Sequence, residues 1–473
     1  MVFSSITFLL YFLPVFIIIY SALPKATRNW FILFASILFY SWGAPTFVFI
    51  LLGSTILDYF VVQAIHRAEQ NSTRRKYLIA SLVLNLGLLA YFKYANFFIE
   101  NVNNALGSLG FEQVAWTSVA LPIGISFYTF QTLTYSIDVY RRVHAPLKHL
   151  HNYLLYIMSF PQMIAGPIVR FNEIAGQITG RRHHIDDRIF GFYRFSIGLG
   201  KKVLIANVLG DFAQQMIDTE VSSLSSWAAW LGMLAYTFQI YFDFAGYSDM
   251  AIGLGRIMGF HFPENFDNPY TSKSITEFWR RWHITLGTWM KNYLYIPLGG
   301  NRVSSRVRLY FNLWFVFLVS GLWHGASWNF VIWGAYHGLF LILDRLFLES
   351  LLNKLGTVLS VVITFFITVV GWTLFSIEDI THASAYIERM FSFVDGMDIT
   401  LSNELVLTGI LAILISFFTL SSFGKRSQEW IYADGDLGTL RTLRLLSISA
   451  LLFTLCVAYI TASGFNPFIY FRF

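Results

Sequence analysis

Long apolar runs separated by short polar loops organise this chain. A helix that crosses a bilayer needs about 20 mostly apolar residues. Runs approaching that length cover residues 6–23, 30–42, 47–65, 77–97, 121–139, 154–169, 190–209 and 227–241, and, beyond a polar middle, 309–322, 330–347, 358–375, 405–420 and 445–460. Several are shorter than a full span, and such segments tilt, break or re-enter where protein surrounds them. The pattern predicts an all-α polytopic membrane protein.

Loop charges give an orientation. Lys25 and Arg28 follow the first run, and Arg67, Arg74, Arg75 and Lys76 follow the third. The second and third runs pair across the turn Gly43-Ala44-Pro45, so both basic loops fall on one side, the cytoplasmic side by the positive-inside rule. Glu100 and Glu112 place the loop after the fourth run opposite them, and the N-terminus and the acidic stretch 378–398 lie outside by the same alternation. No basic segment precedes the first run, which is therefore expected to be a retained helix. No internal repeat or low-complexity linker interrupts residues 1–473, which are read as a single integral membrane domain.

Composition supports this class. Of 473 residues, 56% are hydrophobic and 13% charged, against roughly 25% charged in soluble proteins. The net charge of +6 is spread over short loops rather than one face, which argues against nucleic acid as a partner. Cys456 is the single cysteine, which excludes a disulfide framework and a thiolate metal site. The eleven histidines show no metal-ligand spacing, and His183-His184 stand beside Arg181 and Arg182, so no metal is expected.

Three polar islands carry candidate chemistry. His324 closes an apolar run in Gly321-Leu322-Trp323-His324-Gly325-Ala326, where an ionisable group at membrane depth points to function. The alternative is a histidine hydrogen-bonded within a helix bundle, and that alternative weighs more for His337 in Trp333-Gly334-Ala335-Tyr336-His337-Gly338. Small residues beside these histidines allow close backbone or substrate approach. His283 lies in Phe278-Trp279-Arg280-Arg281-Trp282-His283. Ser274 and Glu277 form a capping-box signature, predicting one helix that runs to Pro297. Trp279, Trp282, Leu286 and Trp289 would form its apolar stripe, and Glu277 and Arg281 an i,i+4 pair. An amphipathic interfacial helix explains the same pattern. The third island, Tyr241 to Met250, holds Asp243, Tyr247 and Asp249; its carboxylates either relay protons or cap chain breaks and pair with Arg280 or Arg281.

These motifs together resemble the membrane-bound O-acyltransferase (MBOAT) superfamily, in particular its bacterial alginate O-acetyltransferase membrane-subunit branch and relatives in cellulose and peptidoglycan acetylation. The likeness runs from Val2-Phe3-Ser4-Ser5 and Tyr11-Phe12-Leu13-Pro14 through Leu121-Pro122-Ile123-Gly124 and Ile164-Ala165-Gly166-Pro167. It continues through residues 243–255, 274–289, 293–302 and 321–338 to Phe468-Ile469-Tyr470-Phe471. One departure is Lys291-Asn292, where many relatives carry Arg-Asp, so an acidic group is absent.

The resemblance implies an MBOAT fold of about 11–13 transmembrane or re-entrant helices around a central tunnel. It makes His324 the catalytic histidine and His283 its partner; the chemistry favours His324 as general base and His283 as orienting partner over a covalent acyl-histidine. Trp279, Arg280, Arg281, Trp282, Trp289, Trp323, Asp243, Tyr247 and Asp249 are candidates to line the substrate path. Asn301 and Arg302, with Arg306 and Arg308 after them, are candidates to meet donor phosphates, against ordinary positive-inside charge as the plainer explanation. It further implies acetyl-CoA as a cytosolic donor substrate with no permanently bound cofactor. The implied acceptor is an exported polysaccharide or a periplasmic SGNH-type partner, and the implied location is the bacterial inner membrane. The chemistry fits, because neutral imidazole can remove a hydroxyl proton near working pH. A transporter or flippase would use the buried carboxylates equally well, and a secretion scaffold would need neither histidine.

Overall fold

A computed structural model of the protein describes residues 1–397, 399–433, 435, 437–464 and 467–469. Asp398, Tyr470 and Phe471 lie outside the described residues. Helices account for the regular structure, and the described residues contain no strand beyond one isolated bridge. Among the described residues, six helices are long and apolar enough to cross a membrane: Phe47–Arg67, Asn71–Ser108, Trp328–Leu355, Thr357–Ser376, Asn403–Leu420 and Thr439–Ser463. Shorter apolar helices such as Thr7–Ala22 accompany them. The protein is a multi-pass, all-α membrane protein.

The chain divides into two compact units, residues 1–188 with 254–263, and residues 189–253 with 264–473. In the first unit a buried carboxylate organises four helices. Asp58 accepts hydrogen bonds from Ser81 Oγ (2.5 Å), Asn85 Nδ2 (2.9 Å), Ser136 Oγ (3.2 Å) and Tyr153 Oη (2.7 Å). A carboxylate hidden from water is tolerable only with such donors. A second group of buried rings, Phe3, Phe8, Phe39 and Phe160, fills the core nearby. His183 sits in a cationic corner of this unit. Burial, and then Arg28, Arg181, Arg188 and Lys25, push its imidazole down to about 4, and a field that repels protons repels metal cations too.

Several expected spans take other forms. The 154–169 run is a helix only over Leu150–Met158, followed by the short turn Phe160–Met163 and irregular backbone. Pro161 and Pro167 lack the N–H groups a helix needs. The 227–241 run is the start of one helix, Ser226–Ile257, so Asp243 and Asp249 stand inside a helix rather than at a chain break.

The largest departure is the helix predicted from Ser274 to Pro297. Ser274 does cap it, its Oγ accepting from Glu277 N at 3.1 Å, and Arg281 pairs with Glu277 at 2.7 Å as the spacing requires. The helix nevertheless ends at Arg281, and a second one covers Ile284–Met290. Between them a neighbouring extended segment takes the backbone groups. Asp267 N donates to Arg281 O (2.9 Å), Ile284 N donates to Asn265 O (3.0 Å), and Phe266 and Trp282 form an antiparallel bridge. A wide π-turn, Lys291–Tyr295, then leads into the turn around Pro297, Gly299 and Gly300.

Beyond that turn, helices Arg306–His324 and Trp328–Leu343 pack antiparallel, with backbones in contact. A Cβ on Gly321 would stand 2.2 Å from Phe330 O, and one on Gly334 2.4 Å from Phe317 O. Small residues give the helices this approach, and it carries His324 into the interior. Gly334→Val should therefore cost at least ~1–3 kcal/mol through overpacking. The exposed Gly53, with open space around it, should accept alanine with a gain of roughly 0.5–1 kcal/mol. Thermal unfolding in detergent measures both; equal midpoints for the two variants would contradict the close packing.

Candidate active site

The second unit buries three histidines among tryptophans. His324 ends the Arg306–His324 helix with 3% of its surface exposed. Its ring meets Trp323 (5.0 Å between centroids), Trp333 (5.1 Å) and Phe375 (5.3 Å), all edge-on. His283 fills the break between the two short helices, with φ at 44° and 2% exposure. Histidine is among the few side chains that enter this left-handed region readily. Its ring meets Phe244 at 4.7 Å and Trp323 at 6.0 Å. Trp323 thus touches both histidines.

Hydrogen bonds assign the His283 tautomer. Asn265 Oδ1 accepts from Thr285 N (3.3 Å) and Thr285 Oγ1 (2.9 Å), and Asn265 Nδ2 donates to Ser248 Oγ (3.1 Å). A backbone N–H can only donate, so the amide oxygen is the atom facing His283 Nδ1 at 3.1 Å. Nδ1 must carry the proton, and the lone pair of the neutral ring lies on Nε2. Asn265, Thr285 and Ser248 act here as an orienting shell.

His337 is fully buried, and neither of its ring nitrogens has a hydrogen-bond partner among the described residues. It packs on Trp279 (4.9 Å) and Trp333 (5.1 Å). The indole N–H groups of Trp279, Trp333 and Trp372 are also buried with no partner among the described residues. Such groups cost free energy to keep and recur where a ligand is received. Trp333 matters most, because its ring lies against His324.

Other candidates fall elsewhere. Trp282 packs on Trp372 (4.8 Å) and Phe266 (5.1 Å), backing the His283 break. Trp289 packs on Tyr293, and Arg280 is exposed. Arg281 bonds Glu277 and Thr271 Oγ1 (3.2 Å), bracing the 267–271 segment. The expected pairing of Asp243 and Asp249 with Arg280 or Arg281 is replaced by other partners. Asp243 pairs with Lys202 at 2.9 Å and accepts from Ile469 N at 2.8 Å. Asp249 pairs with Arg194 at 2.6 Å and Lys201 at 2.7 Å. Tyr247 stacks on Phe468 at 4.6 Å. Lys201 and Lys202 come from a π-turn, Lys201–Ala206, that an unbroken hydrophobic run concealed. Asn301 accepts from Tyr295 Oη (2.7 Å) and Arg345 Nη2 (2.9 Å) on an exposed turn that also carries Arg302.

Two imidazoles on one indole, one of them tautomer-locked, with the unsatisfied Trp333 N–H beside the other, suit proton removal from a hydroxyl and stabilisation of the resulting oxyanion. Comparison with known proteins agrees. Residues 68–377 match the model of the membrane-bound O-acyltransferase family. The chain belongs to that family. It is 40% identical to a probable alginate O-acetylase of Pseudomonas putida over the full length of both chains. It is 33% identical to the peptidoglycan O-acetyltransferase of Helicobacter pylori, over 100% of this chain and 98% of that one. The teichoic acid D-alanyltransferase of Bacillus subtilis is 28% identical, over 55% of this chain and 70% of its own. The protein is accordingly an O-acyltransferase, and the carboxylates a carrier would need are already held in ion pairs.

Asn265, Thr285, Ser248, Trp333 and Trp372 were not evident as site residues in the sequence. Asn265 stands in Pro263-Glu264-Asn265-Phe266, an ordinary polar stretch, and its role exists only once the segment pairs across residues 281–284. For this acyltransferase, Trp323→Ala should slow acyl transfer on the order of tenfold to a hundredfold by loosening both histidines. The exposed Trp227 should tolerate alanine within about twofold, as surface positions do. Turnover of the purified variants decides; equal rates for both would remove Trp323 as the shared wall.

Proposed function

We propose that this acyltransferase moves acetyl groups from cytosolic acetyl-CoA across the bacterial inner membrane toward an exported polysaccharide, directly or through a periplasmic SGNH-type relay protein. The observation that carries the reading is the pair His283 and His324 packed on Trp323. The full-length likeness to an alginate O-acetylase and a peptidoglycan O-acetyltransferase supports acetyl as the group and a polysaccharide as its destination.

The geometry supports the following chemistry. The acceptor hydroxyl oxygen attacks the thioester carbonyl carbon while His324 takes the hydroxyl proton. The tetrahedral oxyanion collapses, the carbon–sulfur bond breaks, and the imidazolium returns the proton to the departing thiolate. With its Nδ1–H held by Asn265, a neutral His283 offers a lone pair at Nε2. That lone pair can accept from a neighbouring hydroxyl or N–H of the acceptor, since the reacting hydroxyl's single proton goes to His324, and it is not a donor to the oxyanion. That second task suits an indole N–H, and Trp333 is the one against His324. Trp279 packs on Trp333 and Trp282 backs the His283 break. On this reading Asn301 and Arg302, at the exposed turn with Arg345 alongside, meet the donor phosphates, which guanidinium groups bind well.

Proteoliposomes with radiolabelled acetyl-CoA on one side, and the polymer plus SGNH-type partner on the other, test the reading. Label should reach the far compartment as an ester, and should fail to do so with His324→Ala. Label esterified only on the donor side, or a preference for long-chain acyl-CoA, would overturn it.

A further inference from the structure

The mechanism leaves unused the strongest charge cluster in the second unit. Arg194 is buried on the Ile185–Gly200 helix, beneath the Tyr432 ring at 4.4 Å. Its Nε donates to Asp249 Oδ1 at 2.8 Å, while Nη1 and Nη2 donate to the two Glu264 oxygens at 2.9 and 2.6 Å. Lys201 holds the other Asp249 oxygen at 2.7 Å. Two cations therefore face two carboxylates, and the fork geometry of one guanidinium ties both acids together.

Each acid adjoins a residue of the His283 shell. Asp249 follows Ser248 on the Ser226–Ile257 helix, and Glu264 precedes Asn265 at the start of the segment that breaks the Ser274 helix. Ser248 and Asn265 bond each other at 3.1 Å, and Asn265 bonds His283 at 3.1 Å. No other ion pair among the described residues holds residue 264 or 265 to that helix. We propose that Arg194 is a positioning residue for acyl transfer. By clamping Asp249 to Glu264 it brings Ser248 and Asn265 together, and Asn265 then fixes the tautomer and aim of His283. The inference rests on the reading of His283 as the partner of His324 in the reaction. Asp249, a candidate for the substrate path by sequence, becomes part of the support for that histidine.

Glu264 offers the cleanest test, because its side chain is 54% exposed and its loss leaves Arg194 paired with Asp249. The purified full chain in nanodiscs is assayed with acetyl-CoA for kcat and KM across pH, with a thermal unfolding midpoint for each variant. Glu264→Ala should lower kcat on the order of tenfold or more, leave the donor KM nearly unchanged and move the acid limb of the kcat profile. Glu264→Gln, which still accepts from Arg194, should recover most of the rate. Arg194→Lys should resemble Glu264→Ala, since an ammonium cannot fork onto both acids. Glu264→Ala combined with Asn265→Ala should be no slower than Asn265→Ala alone, within about twofold, because both act through one chain.

The outcomes separate the two claims. Wild-type rates in His283→Ala would defeat the reading of His283, and this inference with it. A slow His283→Ala beside a Glu264→Ala that only lowers the unfolding midpoint, or whose effect multiplies with that of Asn265→Ala, would overturn the clamp and leave His283 in place.

Discussion

The backbone pairing of residues 265–267 with residues 281–284 is the interaction on which the rest of the site depends. It withdraws the N–H and C=O groups that a continuous helix from Ser274 would have used. Inside a membrane protein those groups cannot be left to water, so the chain breaks only where another segment satisfies them. The break puts His283 into a left-handed conformation, turns its ring toward Trp323 and brings Asn265 against its Nδ1. His324 reaches the same indole by a different route, carried inward by a helix pair packed backbone to backbone at Gly321 and Gly334.

Burial of charge follows the same accounting throughout the molecule. Asp58 is held by four neutral donors, Asp243 by Lys202 and a backbone N–H, and Asp249 by Arg194 and Lys201. A buried ion pair adds little net stability, but losing one partner strands a charge. Such pairs are therefore best understood as fixing geometry. By contrast, the ring nitrogens of His337 and the indole nitrogens of Trp279, Trp333 and Trp372 have no partner among the described residues. They cluster on Trp333, whose ring lies against His324.

Much of this was legible in the sequence. Apolar runs gave the class and most of the helices, Ser274 gave a true helix start, and the glycines around His324 and His337 announced close packing. Both histidine motifs named residues that the fold brings to one indole. What could not be read were effects of distant segments. Local periodicity favours an unbroken helix through His283, and only the approach of Asn265 to Asp267 breaks it. The cationic partners of Asp243 and Asp249 lie some forty to fifty-five residues away, Asp243 also accepts from Ile469 N at the far end of the chain, and the apolar run that carries Lys201 and Lys202 looks like a plain span. Arg280 and Arg281 were nearer in sequence and electrostatically reasonable, yet one faces outward and the other braces its own loop.

The central claim is that His324 is the base of an acyl transfer carried out inside this bundle. Purified wild-type protein and His324→Ala, matched for thermal unfolding in nanodiscs, should be compared for turnover of radiolabelled acetyl-CoA. Loss of a general base predicts a fall on the order of a hundredfold to ten-thousandfold with donor binding retained. Equal turnover in the two proteins would contradict the account.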